Sequence, residues 1–284
     1  MEIAKLSKLI TPSGTMAISN KARVLREQGK PVIGFGAGEP DFPTPEYVIK
    51  DVQAAAEDTS NHKYSPVAGL TILKEEIVRT SELYSGINVK QENVLVSNGG
   101  KHAILTTFMS ILNPGDEVLI PSPYWTTYPE AVKISGGNPV IVDTEFDDDF
   151  KINTDQLDSL KTSKTKVLVW VSPSNPTGVV YTKEEAEKIY NWAFENNVWI
   201  LSDELYEHLV YEGITSPSPA QYDTELNNTI VINGVAKAYS MTGWRVGWII
   251  ANADVIDMAK KIQSHATSNV ANISQIAAYS ALKN

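Results

Sequence analysis

Residues 231–248 read VINGVAKAYSMTGWRVGW, a stretch that runs from one predicted strand into the next. From residue 226 to residue 253 the only charged side chains are Lys237 and Arg245. Burial lowers the pKa of a lysine, and the neutral amine is a nucleophile. Arginine offers a planar pair of donors to a phosphate. We interpret the stretch as part of a ligand site. A solvent-facing lysine and a structural ion pair are the alternatives for each residue taken alone.

Short apolar runs outside this stretch predict a sheet. Seven segments are interpreted as strands, at residues 94–97, 117–120, 139–144, 166–172, 199–204, 229–234 and 247–251. Most are apolar on both faces, as expected in a buried parallel sheet. Segments of helical periodicity alternate with them, at residues 69–84, 101–112, 182–197 and 253–266. Thr182, followed by Glu185, predicts a capping box at the start of the third helix. The predicted fold class is α/β, with a mostly parallel, doubly wound sheet.

The chain divides into two predicted parts. Residues 1–46 are rich in turn residues and show no clear strand–helix unit, so we interpret them as an N-terminal arm plus part of a small domain. Residues 47–284 are predicted to form the large domain, which carries the ligand site. Because the chain ends in a helical pattern with no closing element, we expect it to be a fragment, and the family that its motifs resemble implies that the absent part is a C-terminal part of the small domain.

Composition argues against several functional classes. The net charge of −10 disfavours nucleic acid or an anionic membrane as the main partner, and no apolar run is long enough to span a bilayer. The chain has no cysteine, and its four histidines lie far apart, so we expect no disulfide, no cysteine nucleophile and no metal site. The N-terminal residues lack the apolar core of a signal peptide, and a cytoplasmic location is expected.

A glycine pair follows the strand predicted at residues 94–97. The sequence SNGGKHAI opens a helix with Gly99 and Gly100. Backbone N–H groups at such a helix start can bind an anion. An ordinary tight turn is an equally good interpretation of this motif alone.

Two further motifs place polar residues after strands, where doubly wound sheets bind ligands. SPSNPTG presents Asn175 from a proline-stiffened loop, or uses it in a local turn bond. WILSDELYEHLVYEG places Asp203 at a strand end, with Tyr206 three residues later. Such an aspartate is most often a helix cap, but a buried carboxylate requires a partner.

One ligand explains these residues together. A phosphate suits the glycine pair and Arg245, and a phenolic oxygen suits Asn175 and Tyr206. A cationic ring nitrogen suits Asp203, and an aldehyde suits Lys237. These groups are combined in pyridoxal 5′-phosphate, whose protein partners follow this pattern.

The ordered motifs carry a family resemblance. GAGEPDFPTP, KYSPVAGL, SNGGKHAI, SPYWTTYPE, SPSNPTG, SDELYEHLVYEG and NGVAKAYSMTGWRVGW together resemble the class I pyridoxal-phosphate aminotransferases. The similarity is greatest to the bacterial aspartate aminotransferases whose lysine motif reads AK-x-x-x-MTGWR-x-G. It runs from about residue 13 to the last residue and implies the fold of the major domain of these transferases.

The resemblance implies a role for each candidate residue. Lys237, Asp203 and Tyr206 are the expected catalytic residues: Lys237 bonds the cofactor and moves the proton at the substrate Cα, and Asp203 pairs with the ring nitrogen. Asn175 and Tyr206 bind the phenolic oxygen, and Trp125 stacks on the ring.

The remaining contacts implied by the resemblance concern the phosphate and the substrate. Gly99, Gly100, Lys101 and Arg245 surround the phosphate, and Tyr64 reaches the phosphate of a partner subunit, which implies a homodimer with shared sites. The expected substrate contacts are Gly38, Trp125 and Asn175. Ser13 and Thr15 are expected near the substrate side chain, and Ser240 near the phosphate.

The expected function is transamination between an L-amino acid, with aspartate favoured, and a 2-oxo acid, with 2-oxoglutarate favoured. Another reaction on the same fold, such as that of a C–S lyase or a cyclopropane-forming synthase, stays open. A non-catalytic domain that senses the cofactor is a third interpretation. Such regulators carry a DNA-binding domain ahead of it, and no basic helix precedes the matching region.

Overall fold

The computed structural model describes residues 2–284 of the chain, and within them seven strands form one sheet. The strands are β1 Val94–Ser97, β2 Glu117–Pro121, β3 Asn138–Val142, β4 Thr165–Val171, β5 Trp199–Asp203, β6 Thr229–Gly234 and β7 Gly247–Ile250. All seven lie at the segments that the apolar runs predicted. β3 ends two residues earlier than expected.

Nine α-helices are present in the same described part of the chain. They are α1 Gly14–Glu27, α2 Glu46–Glu57, α3 Thr71–Thr80, α4 Gly100–Ile111, α5 Thr127–Ile134, α6 Thr154–Leu160, α7 Lys183–Glu195, α8 Ala253–Ala266 and α9 Asn272–Lys283. None of them combines the length and apolarity that a membrane crossing requires. The strand–helix alternation confirms the predicted α/β class.

The strands are ordered β1-β7-β6-β5-β4-β2-β3 across the sheet. Strands β2 to β6 pair in parallel, whereas β7 runs antiparallel to both neighbours, β1 and β6. The carboxyl ends of β1, β4, β5 and β6 therefore lie at one edge of the sheet, together with the amino end of β7. Side chains from all five strands can meet at this edge.

Helices cover both faces of the sheet, which explains why the strands are continuously apolar. Along β4, Val167 and Val169 join one buried cluster, whereas Leu168 and Trp170 join another on the opposite face. Successive strand residues point to opposite faces, so a strand buried on both sides has no polar alternation. β6 is buried at every position.

The predicted helices are confirmed, including the start of α7. The Thr182 N–H donates to Glu185 Oε2 over 2.6 Å, and the Glu185 N–H donates to Thr182 Oγ1 over 3.2 Å, which is the predicted capping box. Helices α1, α2, α5 and α6 were not predicted. Helix α1 has no buried residue, and Met16 and Ile18 are both 59% exposed, so its apolar side chains do not contribute to the core of the described residues.

Candidate active site

The candidate residues from the sequence gather at the edge where the parallel strands end. Asp203 is the last residue of β5, and Lys237 follows β6 by three residues. Asn175 follows β4, and Gly99 follows β1. Arg245 precedes β7, and because β7 is antiparallel its first residues lie at the same edge. Strand order thus places together residues that are far apart in sequence.

Lys237 is half-buried in this cleft. Its Nζ donates to the carbonyl oxygen of Gly38 over 2.6 Å and lies 5.6 Å from the ring centroid of Tyr206. Burial lowers the pKa of the Lys237 ammonium below its ordinary value, and Arg245 adds to that effect. The carboxylates of Glu39 and Asp203 oppose it without cancelling it. The amine is therefore more readily deprotonated than that of an exposed lysine.

Asp203 is almost fully buried, at 3% exposure. Its Oδ2 accepts a hydrogen bond from the Tyr128 hydroxyl over 2.7 Å, and its Oδ1 accepts one from the Leu205 N–H over 3.3 Å. Burial raises the pKa of the Asp203 carboxyl to about 6, against the two hydrogen bonds and the charge of Lys237, which lower it. It caps no helix, because irregular turns follow β5.

Asn175 and Tyr206 meet beside this aspartate. Asn175 Nδ2 lies 3.5 Å from the Tyr206 hydroxyl oxygen, at the outer limit of a hydrogen bond. Burial raises the pKa of Tyr206, and the nearby Asp203 raises it further. The tyrosine therefore keeps its proton at neutral pH and can donate it to an anionic oxygen.

The start of α4 borders the cleft on the side of Arg245 and has the features of an anion site. Gly99 has φ +80°, and a Cβ there would lie 2.6 Å from Nη2 of Arg245. The first N–H groups of a helix have no intrahelical acceptor and carry partial positive charge. Burial lowers the pKa of Lys101, and the positive charge of Arg245 lowers it further. Lys101, Arg245 and the start of α4 thus lie close together. Within residues 2–284, no carboxylate forms an ion pair with either of these two cations.

Trp125 lies between these two regions. The Lys101 Nζ lies 5.1 Å from the Trp125 ring centroid, and the Trp125 ring meets the Tyr128 ring edge-on at 5.6 Å between centroids. The indole is half-buried and offers a flat apolar surface to an aromatic ligand.

A cavity of about 500 Å³ separates the N-terminal arm from α4 and α5. The Thr11 N–H and hydroxyl donate to the Glu130 carboxylate over 2.9 and 2.7 Å, which holds the arm on α5. Lys101 and Ser13 line the cavity. The Ser13 and Thr15 hydroxyls lie 2.9 Å apart at the start of α1. The arm therefore borders a space to which Lys101 contributes one wall.

A second N-terminal segment, residues 38–44, lies against the loop that carries Lys237. Besides the contact between Gly38 and Lys237, the Thr242 hydroxyl donates to Glu39 over 2.9 Å. Thr44 bridges the loop, since its hydroxyl donates to the Ser240 carbonyl over 3.2 Å and accepts from the indole of residue 244 over 3.0 Å. This segment fixes the backbone around the lysine.

Tyr64 does not join this group within one subunit. Its side chain is 91% exposed in the loop before α3, and no hydrogen bond or ring contact within residues 2–284 links it to the cleft. Ser240 has φ +55° and reaches the site through its backbone carbonyl.

Sequence reasoning missed Tyr128, Glu39 and Thr44. Tyr128 lies three residues after Trp125 and is 1% exposed, and a buried tyrosine needs a partner for its hydroxyl. The sequence could have indicated that this hydroxyl needs a hydrogen-bond partner, but it could not have identified Asp203 as that partner. Glu39 and Thr44 lie within a quoted motif whose side-chain contacts depend on how the N-terminal segment docks.

Comparison with known proteins shows the family of the chain. The profile of the family described as "Aminotransferase class I and II" matches residues 30–284. The chain is 52% identical over 264 residues to an aspartate aminotransferase of Streptomyces avermitilis, covering 93% of this chain and 65% of that protein. It is 46% identical over 280 residues to an aspartate aminotransferase of Bacillus sp. strain YM-2, covering 98% of this chain and 71% of that one.

Among solved structures, the aspartate aminotransferase of Thermus thermophilus with maleate superposes with a TM-score of 0.96 at 39% identity. The alignment covers 100% of this chain and 73% of that chain. The chain thus spans about two thirds of the length of such relatives. It belongs to the class I and II aminotransferase family, as the motifs predicted.

Proposed function

We propose that the protein is a pyridoxal 5′-phosphate-dependent aminotransferase that moves an amino group between L-aspartate and 2-oxoglutarate. The observation that carries the proposal is the convergence of Lys237, Asp203 and Arg245 at one edge of the sheet. Each of these residues suits a different chemical group of the same cofactor: the aldehyde, the ring nitrogen and the phosphate. Membership of the aminotransferase family and the relatives named aspartate aminotransferase support it.

The donor set fits the cofactor. Asp203 is a buried carboxylate without an ion pair in residues 2–284, so a cationic ring nitrogen would satisfy it. Gly99, Gly100, Lys101 and Arg245 would hold a phosphate, since a side chain at Gly99 would fill the space that the guanidinium borders. Asn175 and Tyr206 would donate to the phenolic oxygen, and Trp125 would cover the ring.

When bound, pyridoxal 5′-phosphate supplies an electron sink for the charge that develops at the substrate Cα. Lys237 performs the proton transfer in this proposal. Burial favours its neutral form, and proton transfer by a positioned side chain contributes roughly 10²–10⁴ in rate. Asp203 would hold a negative charge beside the ring nitrogen. Tyr206 would keep its proton and donate a hydrogen bond to the phenolic oxygen. Gly38, through its backbone, is the expected contact for a substrate carboxylate.

The choice of an acidic substrate is supported by the cavity under the arm. Its lining includes Lys101 and the polar residues Thr11, Ser13, Thr126 and Thr127. Its one lining carboxylate, Glu130, already accepts two hydrogen bonds from Thr11 and one from Lys133. A second carboxylate on the substrate would find hydroxyl donors such as Thr126 and Thr127 there.

The proposal includes a cytoplasmic homodimer with shared sites. Tyr64 is exposed, as a residue that serves the partner's phosphate would be in an isolated subunit. Several large apolar side chains near the N-terminus are also exposed on one subunit: Ile3 by 74%, Met16 by 59%, Ile33 by 82%, Phe35 by 95% and Phe42 by 76%. Apolar surface on this scale favours burial against protein. Residues 1–46 would form the arm and part of the small domain, and residues 47–284 the large domain.

The test is an amino-transfer assay. The purified protein is saturated with pyridoxal 5′-phosphate and 2-oxoglutarate, and glutamate formation is followed with a panel of L-amino acids. We expect the highest kcat/KM with aspartate. Absence of glutamate with every amino acid would contradict transamination, and a clear preference for an apolar amino acid would contradict the proposed substrate.

A further inference from the structure

The hydroxyl of Tyr128 is the one side-chain donor that Asp203 has within residues 2–284. It donates to Oδ2 over 2.7 Å from the first turn of α5, while Oδ1 accepts only the backbone N–H of Leu205 over 3.3 Å. Tyr128 is 1% exposed and Asp203 3%, so water does not replace this bond freely. A buried carboxylate depends strongly on each donor that it retains.

The charged and titratable groups around Asp203 come from three elements. Tyr128 approaches from α5, Lys237 from the loop after β6, and Glu204 and Tyr206 from the turn that follows β5. The positive charge of Lys237 favours the ionised form of Asp203, but the two side chains do not form an ion pair. Glu204 lies in its own buried network, so Tyr128 makes the closest favourable contact.

We propose that Tyr128 is a positioning residue of this site: its hydroxyl fixes the orientation of the Asp203 carboxylate and stabilises its negative charge toward the cationic ring nitrogen. The proposal rests on the proposed function for the identity of that nitrogen. Its basis in this chain is the bond between a buried phenol and a buried carboxylate from different elements. Tyr128 acts through Asp203 and need not touch the ligand.

The direction of the effect follows from the protonation states. Burial and the neighbouring Asp203 raise the pKa of Tyr128 well above its ordinary value, so the phenol keeps its proton and acts as a donor. Burial raises the pKa of Asp203 to about 6, and the Tyr128 bond is the largest of the effects that hold it down. Loss of the hydroxyl therefore moves the Asp203 equilibrium toward the neutral acid near pH 7. A neutral carboxyl pairs poorly with a cation.

Tyr128→Phe isolates the hydroxyl, because it retains the ring and its edge-on contact with Trp125. Tyr181→Phe is the matched control. Tyr181 is also buried, at 6% exposure, and its hydroxyl accepts a hydrogen bond from the Ile152 N–H over 3.1 Å on the opposite face of the sheet. Both variants remove one buried hydrogen-bonded hydroxyl, but only the first removes a partner of Asp203.

The first readout needs no cofactor. Aspartate carboxyl carbons are labelled with ¹³C, the Asp203 signal is assigned by its absence in Asp203→Asn, and its titration is followed by NMR. We expect Asp203 in Tyr128→Phe to be at least about tenfold weaker as an acid, because its ionised form loses the one side-chain donor that stabilises it. Tyr181→Phe should titrate as the wild type does. An unchanged Asp203 titration in Tyr128→Phe would overturn the proposal.

The second readout uses the protein loaded with pyridoxal 5′-phosphate. We expect Tyr128→Phe to lower kcat about twofold at pH 7 and nearly tenfold at pH 5, with little change in KM, because a tenfold weaker Asp203 is only about half ionised at pH 7. The deficit should shrink as the pH rises and Asp203 ionises. A purely structural role would give a deficit that does not depend on pH, and that outcome also overturns the proposal. If the wild type does not bind the cofactor, the proposed function fails, while the NMR titration still decides the role of Tyr128.

Low stability of Tyr128→Phe would not prevent the test. The double variant Tyr128→Phe/Asp203→Asn removes the charge that the hydroxyl stabilises, so it should regain much of the lost stability in chemical denaturation. Such coupling between neighbours is what a double-mutant cycle measures. Strictly additive losses would show that the hydroxyl does not support the carboxylate and would contradict the proposal.

Discussion

At the scale of single residues, the environment of Lys237 decides its chemistry. An apolar loop buries the amine, the Gly38 carbonyl accepts from it, and two carboxylates nearby keep it from losing its proton altogether. Because its pKa is lowered, this lysine offers its neutral amine more readily than an exposed lysine does, and a neutral amine can act as a nucleophile and as a proton acceptor.

Lys237→Ala should remove both roles. With pyridoxal 5′-phosphate added, we expect the variant to lack the pH-dependent visible absorption of the lysine-bound cofactor and to lose at least about a hundredfold in turnover. Absorption spectra across pH and the glutamate assay check this. Retention of wild-type turnover would show that another group moves the proton.

At the scale of elements, the packing of β7 against the start of α4 depends on glycine. A Cβ at Gly247 would lie 2.8 Å from the backbone nitrogen of Gly100 and 2.9 Å from the carbonyl oxygen of Asn233. These are backbone atoms, which cannot turn aside as a side chain can. The close approach places the anion-binding end of α4 beside the strand that Arg245 precedes.

Gly247→Ala should therefore displace α4 from the sheet. We expect a loss of about 1–3 kcal/mol in the free energy of unfolding, as for other overpacked sites, and a cofactor affinity at least about tenfold weaker. Gly243→Ala is the control, since a Cβ there meets nothing within 4 Å. Denaturant unfolding and cofactor titration measure the two effects. Similar behaviour of both variants would contradict this view of Gly247.

The turn after β5 holds a second buried acid, Glu204, at 3% exposure. It accepts hydrogen bonds from the hydroxyls of Ser202 over 2.7 Å and Ser218 over 2.5 Å. Burial raises the pKa of Glu204 to about 8, and the nearby carboxylate of Glu207 contributes in the same direction. The acid is therefore largely neutral in the folded protein at pH 7.

Because the folded-state pKa of Glu204 is raised, its contribution to stability is complete below its ordinary value of 4.5 and is lost as the pH rises through about 8. Glu204→Gln should reduce that loss. Between pH 5 and pH 9 we expect the free energy of unfolding to fall by at least about 1.4 kcal/mol less in the variant than in the wild type. Urea unfolding at both pH values tests this, and identical pH dependence would contradict it.

At the scale of the whole molecule, the proposed dimer can be tested by complementation. A mixed dimer of Lys237→Ala and Tyr64→Ala subunits has one site with both residues, if Tyr64 serves the partner's site. Mixing the variants under conditions of subunit exchange should then give more activity than either alone. A mixture of Lys237→Ala and Asp203→Ala is the control, because those residues belong to the same subunit and no complete site forms.

Activity in the control mixture, or none in the first mixture after exchange has been verified, would contradict the shared site. The oligomeric state is followed in parallel by analytical ultracentrifugation.

The sequence by itself determined the seven strands, the helices α3, α4, α7 and α8, and the residues at the strand ends. These features depend on local pattern. An apolar run of four to seven residues, or a Thr and a Glu three positions apart, has nearly the same meaning wherever it lies in a chain. The ordered motifs added the family, and with it a hypothesis for each residue from Gly38 to Arg245.

Tertiary structure alone decided which of these residues meet which others. The bond between Tyr128 and Asp203 joins positions 75 residues apart, and that between Lys237 and Gly38 joins positions 199 apart. Both depend on strand order and on the docking of the N-terminal segment, and hydrophobic periodicity encodes neither. Whether a buried acid is ionised depends on such partners, because desolvation and each hydrogen bond act over only a few ångströms. The protonation state of Asp203 therefore could not be predicted from the sequence pattern, because it depends on partners that only the fold brings together.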